Sequence, residues 1–202
     1  MTKYHYFLIT IFTIAWILSA IGPATPQNWL QENFIVFLWV PIIIILGRYF
    51  KLSNISYTII TVFLILHLVG AHYNYGFVPF GEILGDWTGS ERNQYDRLMH
   101  FLFGLLMVYP VREFFLKATN IGGFWSYFLP INIIISFSAV YEIYEWISTT
   151  TLPPELAYLF VGGTDPWDAV KDMALALIGA VITIVFCGII NKCKQNILFR
   201  SL

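Results

Sequence analysis

The stretch Asp168-Ala-Val-Lys-Asp172-Met-Ala-Leu-Ala-Leu-Ile-Gly-Ala-Val-Ile-Thr-Ile-Val-Phe-Cys-Gly-Ile-Ile190 decides the fold. From Met173 to Ile190 it carries no charged residue. About 20 apolar residues in a helix cross a hydrocarbon core of roughly 30 Å. The stretch therefore reads as a transmembrane helix whose first turns carry two aspartates and a lysine. Five further segments meet the same length approximately: Tyr6–Gly22, Phe34–Phe50, Tyr57–Tyr73, Leu98–Lys117 and Phe124–Trp146. The expected fold is all-α, an integral membrane bundle of six transmembrane helices in a single domain over residues 1–202.

Composition agrees. The chain is 58% hydrophobic and only 11% charged, against about 25% charged for a soluble domain. The 11 Lys+Arg and 12 Asp+Glu leave no basic excess, so no nucleic-acid partner is expected. The first segment has one basic residue before it and no small-residue cleavage site of the usual form, so it reads as a retained helix rather than a cleaved signal. Pro23 and Pro26 are expected to end it, and Asn120, Gly122 and Gly123 mark the turn between the fourth and fifth spans.

Orientation follows from the basic residues. The tails and even-numbered loops hold Lys3, Arg48, Lys51, Arg112, Lys117, Lys192, Lys194 and Arg200, whereas only Arg92, Arg97 and Lys171 fall on the other side. This places both termini in the cytoplasm. Of the 12 acids, Glu113 alone then maps inside. Cys187 and Cys193 also lie inside, with neither a CxxC spacing nor a disulfide pattern.

The acids at the outer mouth fall on helix faces that they share with one another or with histidine. Asp96 and His100 are four apart, Glu142 and Glu145 three apart, Asp168 and Asp172 four apart, and each pair shares a face. His72 ends the third span. Asp165, before Pro166, suits a helix-capping position, but Glu142 and Glu145 stand at a helix C-terminus, where the dipole opposes them. Converging carboxylates need protons, basic partners or a metal. His72, Asp96, His100, Glu142, Asp168 and Asp172 are the candidate ligands of a divalent metal ion, Zn, Mn or Fe if histidine takes part and Mg or Ca if oxygen alone does. Glu142, Glu145 and Asp172 are the candidate catalytic groups. Arg97, Lys171 and Tyr73 are the candidate substrate contacts, the two bases suiting a headgroup phosphate.

Bland readings stand beside these. His67, deep in an apolar run, reads as a core histidine satisfied by a neighbouring hydroxyl. Glu32, Glu82, Asp86, Glu91 and Glu155 read as solvated loop charges, and Arg112 and Glu113, at the inner end, as structural groups pairing across helices rather than as holders of lipid headgroups.

Gly70-Ala-His72-Tyr73-Asn-Tyr75, Tyr95-Asp96-Arg97-Leu-Met-His100-Phe, Tyr109-Pro-Val-Arg112-Glu113, Tyr141-Glu142-Ile-Tyr144-Glu145-Trp146 and Asp165-Pro-Trp167-Asp168-Ala-Val-Lys171-Asp172-Met173 resemble the YjdF-type bacterial inner-membrane proteins, in the same order and spacing over roughly Tyr57 to Gly188. One departure is Gly162-Gly163-Thr164-Asp165, where that family usually reads Gly-Thr-Gln-Gly-Asp. A weaker likeness to VanZ-like membrane proteins rests on Asp96-Arg97-Leu-Met-His100-Phe101. Neither resemblance implies a reaction. The expected function is a metal-dependent hydrolase or transferase acting on a lipid or isoprenoid-linked headgroup, with membrane lipid as its surroundings. The alternatives are a proton- or cation-coupled transporter and a non-enzymatic headgroup-binding protein.

Overall fold

The computed structural model describes residues 2–151 and 165–200, with the side chains of the last helix given as far as Lys192. Glu155, Cys193 and the Gly162-Gly163-Thr164 departure lie outside the residues so described. Among the described residues seven α-helices follow in order: α1 (Lys3–Ser19), α2 (Pro26–Phe50), α3 (Asn54–Tyr73), α4 (Pro79–Thr88), α5 (Tyr95–Ala118), α6 (Trp125–Thr151) and α7 (Asp168–Arg200). Among the described residues no strand forms. Five of the helices, α2, α3, α5, α6 and α7, are long and apolar enough to cross a bilayer. Their large apolar side chains point outward in number, among them Phe37, Val62, Val140, Val185 and Phe186. In water such a surface would be a liability; in a membrane it is the lipid contact.

The helix boundaries have local causes. Pro26 does not end the first span but sits at the first turn of α2, where its missing N–H removes nothing that a helix start would use. α2 thus begins eight residues before Phe34, the start expected from hydropathy. It turns into α3 through Lys51 in the left-handed region at φ 43°. Ser53 then caps α3 by accepting from the Ser56 N–H at 3.2 Å. Glu113 of α5 closes the same end: its carboxylate accepts from the Ser53 N–H and hydroxyl, both at 2.8 Å, and from the Ser56 hydroxyl. Lys117 adds an ion pair at 2.9 Å. Arg112 also reaches across to a neighbouring helix, lying over the Tyr127 ring of α6, 4.3 Å from its centroid.

α5 is the central helix, packed on α3, α6 and, most extensively, α7. Small residues let α5 and α7 approach: a Cβ on Gly104 would collide with the Ala176 carbonyl, and one on Gly179 with the Phe101 carbonyl and Leu105 N–H. Close backbone approach through Gly and Ala is the usual means by which apolar helices associate in lipid. Thr183 ties the crossing by donating to the Leu105 carbonyl at 2.6 Å. Below this contact Val108, Ile134, Ala176, Ala180 and Ile184 form a closed apolar core.

α1 packs on α3, with Tyr4 and Thr58 hydroxyls 2.5 Å apart and the His5 ring edge-on to Tyr57. α4 is a short helix in what hydropathy leaves as a loop. Phe80, Ile83 and Trp87 line its exposed face, while Gly81 and Gly85 are buried against Ser90–Tyr95. Glu82, Asp86 and Glu91 are exposed, as expected of solvated charges.

Candidate functional site

Three helices bring carboxylates to the end of the bundle where α5 and α7 begin and α6 ends. Asp96 and His100 occupy the first two turns of α5, Asp168 and Asp172 those of α7. The Gly104–Ala176 and Gly179–Phe101 contacts set the two helices close enough for these groups to meet. Each of Asp96, Asp168 and Asp172 offers an oxygen, and the three oxygens lie within 4.8 Å of one another. Asp172 is only 1% exposed, and no hydrogen-bond donor among the described residues reaches its Oδ1. A buried carboxylate oxygen without a partner is expensive to keep, so a carboxylate placed beside two further acids needs a proton, a basic partner or a cation.

His100 joins this group from one side. Its Nε2 lies 3.1 Å from Glu142 Oε1 and 3.8 Å from Asp96 Oδ1, and its Nδ1 faces the Ser138 hydroxyl at 3.2 Å. His100, Asp96, Asp168, Asp172 and Glu142 therefore come together. Glu145, one turn beyond Glu142, lies on the α6 face that carries Tyr141 and Glu142.

Basic residues hold the rim. Arg92, in the segment before α5, bridges Asp96 at 3.0 Å and Asp168 by a short contact. Burial works against its charge, but Asp168, then Asp96 and Asp172, outweigh it and hold the guanidinium pKa above the ordinary value. Arg97 pairs with Asp165 at 2.7 Å and reaches Asp168 at 3.5 Å. Lys171 pairs with Asp165 at 2.6 Å and is half-exposed. Those hydrogen bonds, first that of Lys171 and then the Trp167 N–H, hold the Asp165 carboxyl down to about 2. Asp165 also accepts from the Trp167 N–H at 3.1 Å, the capping role expected of it.

Two expected members stand elsewhere. His72 faces α1, its Nδ1 3.0 Å from the Ser19 carbonyl, and lines an apolar groove of about 310 Å³ with Leu18, Ile65 and Leu68. Its position on the outward end of α3 fixed its depth but not its direction round the helix. Tyr73 packs edge-on against His72, exposed and away from the carboxylates. His67 is the satisfied core histidine expected of it: Nδ1 lies 2.5 Å from the Tyr75 hydroxyl and Nε2 3.1 Å from the Glu32 carbonyl.

Two residues escaped the sequence reading. Glu32 is not a solvated loop charge. It lies in α2, 3% exposed, and accepts from the Tyr141 hydroxyl at 3.2 Å. The early start of α2 at Pro26 carries it into the bundle. Neighbouring contacts fix α2 against α6: Gln31 donates to Ser148 at 2.6 Å and Tyr144 donates to the Gln31 carbonyl at 3.2 Å. Arg92 enters the sequence reading only through its side of the membrane, although its four-residue spacing from Asp96 places the two within reach.

Lipid-facing helices around a small cluster of acids, histidine and arginine define a polytopic membrane protein with one polar mouth. The chain belongs to the family described as "Predicted membrane protein (DUF2238)", which matches residues 4–192. It is 30% identical over 184 residues to the "Inner membrane protein YjdF" of Escherichia coli (strain K12), an alignment covering 91% of this chain and 88% of that relative. No solved structure matches it significantly. The chain is a multi-pass protein of the bacterial inner membrane.

Proposed function

We propose that the chain crosses the inner membrane six times with both termini cytoplasmic, and that its outer mouth binds one divalent cation through Asp96, Asp168 and Asp172. The sixth span is α1, whose 17 residues rise about 25 Å at 1.5 Å each. The single observation that carries the cation is the buried Asp172 carboxylate, its Oδ1 unpartnered, beside the carboxylates of Asp96 and Asp168. Three oxygen donors with His100 at their edge favour Mn or Mg over Zn, and Fe is the histidine-tolerant alternative.

With such an ion bound, the chemistry that fits is metal-assisted hydrolysis or transfer on a lipid or isoprenoid-linked headgroup. Glu142, partly buried and against His100, suits the general base, with Glu145 behind it. Lys171, Arg97 and Arg92 supply the positive rim that a headgroup phosphate needs. The opposing reading, a proton or cation pathway, requires polar groups through the full depth. The closed core of Val108, Ile134, Ala176, Ala180 and Ile184 argues against it.

Elemental analysis of the purified protein tests the ion directly. Wild type is expected to carry about one equivalent of a divalent metal after loading and dialysis, and Asp172→Asn to carry far less. No metal above background in the wild type overturns the reading.

A further inference from the structure

The guanidinium of Arg92 spans two of the carboxylates that would hold the proposed ion. One arm reaches Asp168 Oδ1 and the other Asp96 Oδ2, and these two carboxylates are two of the three whose oxygens converge. Only Asp172 is left without a donor. The backbone that carries Arg92 is fixed. Its N–H donates to the Ser90 hydroxyl at 3.2 Å, its carbonyl accepts from Gln94 Nε2 at 3.1 Å, and the segment rests on Gly81 and Gly85 of α4. The side chain is fixed only at its tip, because among the described residues Arg92 Nε has no acceptor. A side chain anchored in this way leaves by rotating about its own bonds, with no movement of the loop.

We propose that Arg92 is a displaceable internal cation that holds the Asp96–Asp168 gap in the ion-free protein and makes the site selective for divalent over monovalent cations. The inference rests on the divalent-cation reading above. Exchanging a guanidinium for Na⁺ or K⁺ leaves the charge of the three-carboxylate cluster unchanged, forfeits two charge-assisted hydrogen bonds and requires a hydrated ion to shed water. Exchanging it for a divalent ion adds one positive charge among three acids, where the weak screening of a half-buried site makes the gain large. Arg92 thus sets a threshold that a monovalent ion does not cross. Arg97 serves as the contrast: its closest carboxylate is Asp165, and it meets Asp168 only at 3.5 Å.

The test is Mn²⁺ binding to the full-length protein in lipid nanodiscs, with and without excess Na⁺. Arg92→Gln is expected to bind Mn²⁺ about tenfold or more tightly than wild type, given the strength of a bridging guanidinium. Its Mn²⁺ binding is also expected to become sensitive to Na⁺, whereas that of the wild type is not. Arg97→Gln, which changes charge nearby without opening the gap, is expected to stay Na⁺-insensitive. In the wild type, saturating Mn²⁺ is expected to expose Arg92 to phenylglyoxal, read by mass spectrometry. That measurement does not depend on the variants folding. Wild-type Mn²⁺ binding with Arg92→Gln no tighter and no more Na⁺-sensitive, or with Arg92 still protected at saturation, overturns the displaceable cation and leaves the ion site standing. Absence of Mn²⁺ binding in both wild type and Arg92→Gln overturns the ion site and the inference with it.

Discussion

His100 Nε2 stands 3.1 Å from Glu142 Oε1 while Nδ1 of the same ring faces the Ser138 hydroxyl at 3.2 Å, so one histidine of α5 is held between two residues a single turn apart on α6. Rotation of the ring would break the Ser138 contact and carry Nε2 away from Glu142. Groups joined in this way do not act independently, and a double-mutant cycle on His100→Ala and Glu142→Gln is expected to show a coupling of about 1 kcal/mol or more. The measurement is thermal unfolding in detergent; strictly additive losses would separate the two residues.

The α5–α7 crossing makes a prediction at a distance from the carboxylates. Gly104→Leu forces a side chain into the Ala176 carbonyl, and Gly179→Leu forces one into Phe101. Each is expected to cost about 1–3 kcal/mol of stability, the usual penalty of overpacking, and to weaken divalent-ion binding by parting Asp96 from Asp168 and Asp172. Equal stability and unchanged ion binding for both variants would contradict the role given to that contact.

Asp165 makes stability depend on pH in the acid range. Its carboxyl is held at about 2 against an ordinary value of 3.8, so its bonds favour the folded state fully above pH 3.8 and fade as pH falls through about 2. Asp165→Asn is therefore expected to melt lower than wild type at neutral pH, with the gap closing only in strong acid. A gap that closes already between pH 6 and 5 (approximate bounds, well above the carboxylate range) would assign the effect to another group.

α4 should rest on the membrane surface with Phe80, Ile83 and Trp87 in lipid and Glu82 and Asp86 in water. In a background lacking Cys187 and Cys193, a cysteine at position 86 is expected to react with an impermeant maleimide added from the periplasmic side, and one at position 83 to be protected by the bilayer. Labelling of position 86 from the cytoplasmic side alone would reverse the proposed orientation.

Much of this arrangement was legible in the residues because depth along a helix is written in the sequence. Asp96, His100, Glu142, Asp168 and Asp172 each stand near the same end of a long apolar run, and i, i+4 spacing gave their shared faces. Direction round the helix was less legible. His72 has the right depth, yet α3 turns it toward the Ser19 carbonyl of α1. Glu32 was missed because Gln27–Asn33 is too polar for a hydropathy criterion, although Thr25-Pro26 before it is a helix-start signal. Its burial depends on Tyr141, far away in the chain. α4 escaped for a related reason: ten residues with two glycines form a stable helix only against Asn93 and Tyr95, which local propensity does not see.

The apolar core under Asp172 has a consequence for traffic. Val108, Ile134 and Ala176 are fully buried beneath this residue, so a water molecule or an ion that reached Asp172 would meet an apolar wall and would have to return toward the end where α5 and α7 begin.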